Sequence, residues 1–480
     1  MTQLDQDCFI SFELAENGFP VSAIPAYIVI SDDGKTTITF HQNERNPHFR
    51  ELEKFNLYGQ TVKNEKFTFT GCYFQPMPNK FSSNALAVES YKITGQKLYL
   101  GDWIEDKDLQ NIDKAYVRFS YLEYWIDTFD FNWDDDYNSF EVKNIKKKIE
   151  SFDIDENCTL STGSQYRQKI IDNKKLIFDT ENFLHLTFKS KIEVKKVKRY
   201  IFILKNFFNI IIPNEKIFYE EIHFYTKNKS LELIEKQFHY TAQKSDSISM
   251  HSFLYNYHPN DIQTVLQKWF LLESKYGVLF DTLHTILEAN NYGYIESEFI
   301  ALVQWLEGFC RIKYPTNKAE VESFKLRVDS IVEELKNEED KKFIKNITEN
   351  KHETPFKKQL KSLFKDNSIK DLLEINSGDF DRLIQKIGNY RNQITHPNES
   401  QEYDLQKMIY LNRFIKNFIF IVFRNELELN EPSLAYDDIK RNLVFSYQMM
   451  KNNNAKEIEE KEAEKVINSL DSFLQKSPES

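Results

Sequence analysis

Tyr390-Arg391-Asn392-Gln393-Ile394-Thr395-His396-Pro397 is the stretch on which the fold and chemistry of this chain turn. An arginine with a polar neighbour is followed, five positions on, by a histidine. Imidazole moves protons near neutral pH. A guanidinium grips phosphate with a planar, bidentate fork. The residues before the motif have helical composition, and Pro397 disfavours the α conformation at His396. The spacing therefore predicts a helix that ends at His396, where the helix dipole favours an imidazolium. Asn392 and His396 stand four apart and share one face of such a helix. Arg391 is turned from Asn392 by roughly 100°, but its long side chain still reaches the same phosphate. The plainer alternative is a helix end with two solvated polar groups.

The surroundings of the motif read as helices from Pro259 onward. Asn260 or Asp261 can cap a first helix that continues to about Ala289. A second is predicted from about Ile295 to Lys313, stopping at Pro315, with Phe299, Leu302, Val303, Leu306, Phe309 and Cys310 as its apolar stripe. Glu307 sits on the edge of that stripe, where an unpaired buried carboxylate is costly. It is either a rim carboxylate in water or an ion pair that positions Arg391. Residues 318–336 and 370–373 flank a charged middle, 337–351, that reads as surface helix or loop. The motif helix is expected to start near Gly378-Asp379, with Asp379 as cap and Phe380, Leu383, Ile384 and Ile387 on its apolar side. Gly388 within it points to a close helix approach or a kink. A long apolar helix is predicted over 403–427. Residues 455–475 place Val466, Ile467, Leu470 and Phe473 on one side, as in a docking helix or partner-binding tail. Residues after Lys476 are expected to be disordered.

R-N-x-x-x-H near the end of an all-helical half resembles the HEPN ribonucleases, and more narrowly the ApeA-type anti-phage HEPN proteins. Gln267-Lys268-Trp269-Phe270-Leu271-Leu272-Glu273 and Glu298-Phe299-Ile300-Ala301-Leu302-Val303-Gln304-Trp305-Leu306-Glu307 look like that family's upstream helices in order and spacing. The likeness is clearest over about residues 255–430. It implies a metal-independent endoribonuclease of abortive infection, cleaving host or phage RNA, with transfer RNA as the suggested substrate. In such a reaction the 2′-OH attacks, a base and an acid move protons, and a cation stabilises the phosphorane. The resemblance assigns catalysis to Arg391, Asn392 and His396, and no metal or cofactor. Glu307, from its place on the rim, is a supporting candidate, and Tyr390 and Thr395 either support the site or are structural. It further implies a homodimer or higher oligomer, with two motifs in one cleft, and a phage-derived trigger acting on the N-terminal half. The alternative is a non-catalytic HEPN sensor or scaffold that dimerises and binds a phage or nucleic-acid partner.

The N-terminal half has a different period. Residues 66–74, 116–122 and 183–188 alternate apolar or aromatic with polar or small residues, the pattern of half-buried strands. Asp32-Asp33-Gly34 between two such runs is a hairpin signal. Short antiparallel strands separated by turns predict a sandwich or an open barrel. Val194, Val197, Ile201, Leu204, Phe208 and Ile211 interrupt them with one helical stripe over 194–211. Strands return at 217–226 and 231–240, with a turn at Lys227-Asn228-Lys229. The polar run 241–249 marks the expected boundary. The chain thus reads as α+β and multidomain. An antiparallel β-rich N-terminal domain (1–245) precedes an all-α HEPN bundle (255–450), and a charged C-terminal helix or tail (451–480) follows.

Composition sets limits on function. A chain of 480 residues exceeds one ordinary core. Aromatics at 15% with only 12 glycines and 12 prolines describe packed domains with few long linkers. The net charge of -11 lacks the basic footprint of a constitutive nucleic-acid binder, leaving room for a local basic cleft. Lys146-Lys147-Lys148 and Lys195-Lys196-Val197-Lys198-Arg199 read as solvated faces, with an RNA track as the alternative. Cys8, Cys72, Cys158 and Cys310 are too widely spaced for a zinc knuckle or disulfide framework and read as reduced cytosolic thiols. There is no P-loop, dinucleotide loop or H-E-x-x-H. Asp134-Asp135-Asp136 lacks the spacing of a calcium loop and reads as an acidic turn. His251 and His258 fit linker packing better than metal ligation. Met1 to Glu13 has no basic region before an apolar run. Residues 201–212 and 414–423 fall short of the roughly 20 apolar residues of a bilayer span. A soluble cytoplasmic protein without membrane partners is expected.

Overall fold

The structure, a computed structural model, describes residues 5–31, 34–42, 53–75, 89–126, 129–133, 140–144, 151–171, 175–213, 215–235, 253–255, 261–288, 294–316, 318–348, 355–395, 404–430 and 432–451. The chain divides into two compact units, Met1–Leu271 and Leu272–Ser480.

The first unit begins with β1 (Asp5–Ser11), β2 (Ile24–Ile30), β3 (Thr36–Gln42), β4 (Phe55–Thr61), β5 (Lys66–Gln75), β6 (Glu89–Thr94) and β7 (Lys97–Leu100). Alternation turns one side of each strand inward. In β2, Ala26, Ile28 and Ile30 are buried while Tyr27 and Val29 stay exposed. The strands follow one another in the order β5-β4-β1-β2-β3-β6, and β6 returns to β5 through Tyr73↔Thr94 and Phe74↔Ile93. This closes an antiparallel barrel, so the expected open barrel or sandwich is here a ring. Its core holds Ile10, Ile28, Ile38, Phe40, Leu57, Phe67, Phe69 and Ile93. Gly59 faces Phe67 in register, and an added Cβ would lie 2.1 Å from that ring. The glycine makes room for the aromatic.

Past the barrel come the short helices α1 (Asp106–Leu109) and α2 (Leu122–Trp125), with β8 (Ile112–Phe119) between them. The hairpin β9 (Phe129–Trp133) and β10 (Phe140–Asn144) stands apart from the main sheet. Next are β11 (Ser151–Asp153), β12 (Cys158–Ile171), β13 (Lys175–Ile192), α3 (Val194–Ile211), β14 (Tyr219–Tyr225) and β15 (Ser230–Ile234). These strands extend from β7 in the order β15-β14-β8-β13-β12-β11. α3 packs on this sheet through Phe208 and Phe119, whose ring centres are 5.2 Å apart. Its other side meets Trp269, whose indole N–H donates to the Ile203 carbonyl at 2.8 Å. The single predicted stripe is therefore too narrow: Ile203 to Ile211 is buried all round, Lys205, Asn206 and Asn209 included. In the basic cluster at its start, Lys195 and Lys196 are exposed and Lys198 pairs with Glu235.

The helices that follow are α4 (Ile262–Tyr276), α5 (Val278–Glu288), α6 (Ile295–Lys313), α7 (Lys318–Glu334), α8 (Glu338–Thr348), α9 (Phe356–Asp366), α10 (Ile369–Leu372), α11 (Ser377–Thr395), α12 (Leu405–Glu426) and α13 (Leu434–Lys451). The single helix expected up to Ala289 is two, parted at Gly277, whose φ of 39° is left-handed. The charged middle contains α8, largely exposed. α12 is the apolar centre of the second unit. Its Phe423 meets Trp305 at 5.6 Å between ring centres, and its Phe418 meets Phe364 at 4.6 Å. Asp404 caps α12 by accepting the Lys407 N–H at 3.1 Å. The cap of α11 is Asn376 rather than Asp379: the Asn376 side-chain oxygen accepts the Asp379 N–H at 2.9 Å. Asp379 sits inside the first turn, paired with Arg382 at 2.5 Å and Lys451 at 3.2 Å.

Candidate functional site

α11 buries Phe380, Leu383, Ile384 and Ile387 and so fixes which residues of its last turns face outward. Tyr390 is buried and meets Phe299 of α6 edge-on, with ring centres 6.2 Å apart. That contact sets the end of α11 against the middle of α6. The next residue, Arg391, then reaches Glu307 on α6, with Nη2 3.2 Å from Oε2. Glu307 is therefore paired, and twice: its Oε1 takes Arg311 Nη2 at 3.0 Å. Arg391 Nη1 also donates to Asn392 Oδ1 at 3.2 Å. The Glu307 side chain is 15% exposed and that of Arg391 36%, so the guanidinium is anchored yet open to solvent. Two guanidiniums thus share one carboxylate at this margin.

The supporting residues differ in what they touch. The Thr395 hydroxyl donates to the Arg391 carbonyl at 2.8 Å and finishes the helix end. Tyr390's phenol is pushed above its ordinary value by burial and by the negative charge of Asp404. Asn392 is exposed beside Arg391. An open cleft of about 330 Å3 adjoins the pair, lined by Ile300, Gln304, Glu307, Gly308 and Arg311 from α6 and by Arg391 and Thr395 from α11. α11 is described as far as Thr395, and His396 lies outside the described residues. So do Asp134-Asp135-Asp136, Lys146-Lys147-Lys148, His251, His258, the polar run 241–249 and the tail from 452. The Lys195–Arg199 cluster belongs to the first unit. Cys8, Cys72, Cys158 and Cys310 are buried free thiols. Burial pushes Cys8 and Cys310 up to about 12.

Sequence reasoning passed over Arg311 and Gln304. The available signal was Glu307-x-x-x-Arg311, the i,i+4 spacing of a helical ion pair. Gln304 lies about one turn before Glu307 on the same face.

A family model for ApeA N-terminal domain 1 matches residues 12–270, more than half of the chain. The chain belongs to the ApeA family. A second model, described as Apea-like HEPN, matches residues 300–433. That range takes in Glu307, Arg311 and the whole R-N-x-x-x-H motif. No curated protein and no solved structure matches. The ApeA architecture is thus a barrel-containing β-rich N-terminal region followed by an all-helical HEPN region. ApeA membership supports a role in anti-phage defence with a HEPN domain, and HEPN domains are usually ribonucleases. They suggest nucleic-acid or oligomer interactions as well. Among the described residues, no helix is long and apolar enough to cross a membrane. Among the same residues, no group of three or more His, Cys, Asp or Glu is placed to hold a metal ion.

Proposed function

We propose that this protein is a cytoplasmic anti-phage endoribonuclease that cleaves host or phage RNA, transfer RNA being the favoured substrate, through attack of the RNA's own 2′-OH. The observation that carries this reading is Arg391. It is anchored by Glu307 at 3.2 Å and still 36% exposed beside an open cleft. A scaffold has no need of a guanidinium held in that state.

In this mechanism Arg391 grips the scissile phosphate and offsets the charge that grows on it. Asn392 orients the phosphate or the sugar by hydrogen bonds. His396 moves the proton, and two copies of the chain bring two imidazoles to one cleft, one as base and one as acid. Residues 255–450 carry the chemistry. Residues 1–245 respond to a phage-derived trigger and supply no catalytic group. Their response requires that the trigger bind a closed and a competent state with different affinity.

The experiment is RNA cleavage by the purified full chain and by His396→Ala. The wild type should cut in the presence of EDTA and leave 2′,3′-cyclic phosphate or 3′-phosphate ends. His396→Ala should lose cleavage and cell toxicity while its stability stays within about 0.5 kcal/mol, as for a surface change. Full activity in that variant sinks the assignment, and so do 3′-hydroxyl products that depend strictly on a divalent ion.

A further inference from the structure

The cleft beside Arg391 is larger than a single phosphate needs, and its other wall is one face of α6. Ile300, Gln304, Glu307 and Arg311 recur at intervals of three and four, so they lie along that face over about 16 Å. Ile300 offers apolar surface. Gln304 is exposed and can both donate and accept. Arg311 stands at the far end of the row with its side chain 60% exposed. Glu307 holds Arg311 and Arg391 at once, through different oxygens, at 3.0 and 3.2 Å. The carboxylate is therefore a spacer that fixes two guanidiniums at a short separation. Both forks border the cleft, and the Arg311 side chain keeps 60% of its surface open.

We propose that Arg311 is a substrate-binding residue: it holds a second phosphate of a single RNA strand, next to the one gripped by Arg391, so that α6 tracks the strand outward from the scissile bond. The inference rests on the ribonuclease reading for the identity of the anion. Its chemistry is that of a planar fork meeting phosphate oxygens. An acidic protein segment offers carboxylates to the same fork, but the guanidinium beside Arg311 on Glu307 is the one assigned to phosphate. Arg311 makes no contact with the reacting bond in this scheme. It lowers KM and leaves kcat to Arg391 and His396.

The test is an equilibrium titration of the full-length His396→Ala protein, which leaves the probe intact, with a labelled single-stranded oligouridylate at several salt concentrations. Adding Arg311→Ala should weaken binding about five- to tenfold and reduce the slope of log affinity against log salt by about 0.7, the share of one phosphate contact on a single strand. In the otherwise wild-type chain, Arg311→Ala should raise KM for RNA by a similar factor with kcat within about twofold. Gln304→Lys on top of Arg311→Ala should restore the slope, because a cation elsewhere on the same face meets the same strand. Unchanged affinity and slope in Arg311→Ala overturn the proposal, as does a folded Gln304→Lys double variant that restores nothing. A fall in kcat with KM unchanged also overturns it, making Arg311 a positioning residue for Glu307. If His396→Ala still cuts RNA, the catalytic assignment fails separately, and the salt slope of the binding still decides Arg311.

Discussion

Glu307 joins α6 to α11 through a carboxylate that two arginines share, at 3.2 Å and 3.0 Å. Glu307→Gln keeps the shape and one acceptor but removes the charge between two cations. Arg391 then loses a charge-assisted hydrogen bond, and the carboxylate charge between it and Arg311 is gone. We expect kcat for RNA cleavage to fall about tenfold, since a small misplacement of a phosphate-holding group is costly. Stability should move by less than about 1 kcal/mol, because Arg311 and Arg391 are substantially exposed and such pairs contribute little. Single-turnover rates and a thermal melt separate the two effects, and an unchanged rate removes Glu307 from the site. The Glu307–Arg391 contact was half legible in the sequence: the apolar stripe of α6 left a carboxylate on its rim, which could as well have faced water, and only the packing of α11 on α6 decides for the ion pair. Arg311 was not, since an i,i+4 pair near a helix end looks the same whether it serves RNA or only water.

At the scale of elements, alternation revealed β5, β8 and part of β13 but not the ring that the first strands close. β5 serves different neighbours along its length: Phe67 to Thr70 pair with β7, while Tyr73 to Gln75 pair with β6. The change falls at Gly71, whose φ of 63° few other residues adopt. Nothing local to a strand announces which edge it will offer to which partner. α9 stayed hidden for another reason. Its core residues Leu360, Leu363 and Phe364 are spread among lysines, and its only signal was that spacing. Glycines now separate the two kinds of packing. At Gly59 the obstacle to a Cβ is the Phe67 ring at 2.1 Å, fully buried in the barrel core. Gly59→Ala should destabilise the protein by about 1–3 kcal/mol through overpacking. At Gly388 the obstacle is Lys357 Cε at 2.3 Å, near the free end of a flexible chain. That glycine accommodates a side chain of α9 rather than a backbone. Gly388→Ala should leave stability unchanged or raise it by up to about 1 kcal/mol, the helix propensity that alanine adds. Urea unfolding of both variants checks the pair, and equal losses at the two sites would refute the distinction.

At the scale of the whole molecule, the sequence showed the passage from a β-rich to an all-α region because the hydrophobic period changes from two to three or four. The proposed chemistry, in turn, calls for a second chain. The R-N-x-x-x-H motif holds one imidazole, and general base and general acid are two tasks within one cleavage step. In the proposed mechanism a two-fold pair of chains supplies the second. This predicts that His396→Ala chains poison wild-type chains. When the two are co-expressed in equal amounts under different tags and pair at random, only about one quarter of the dimers keep two imidazoles. A dimer with one imidazole lacks a contribution of about 10²–10⁴-fold, so its cleavage is negligible beside the intact form. Activity per total protein should therefore fall to about one quarter of the wild type. Independent active sites would give about one half, since every wild-type chain would then work alone. Dilution adds a second readout: specific activity should drop once chains separate, and mixing should restore it. A value of one half, or a monomer that keeps full activity on dilution, would rule out a shared cleft and require both proton transfers to come from a single chain.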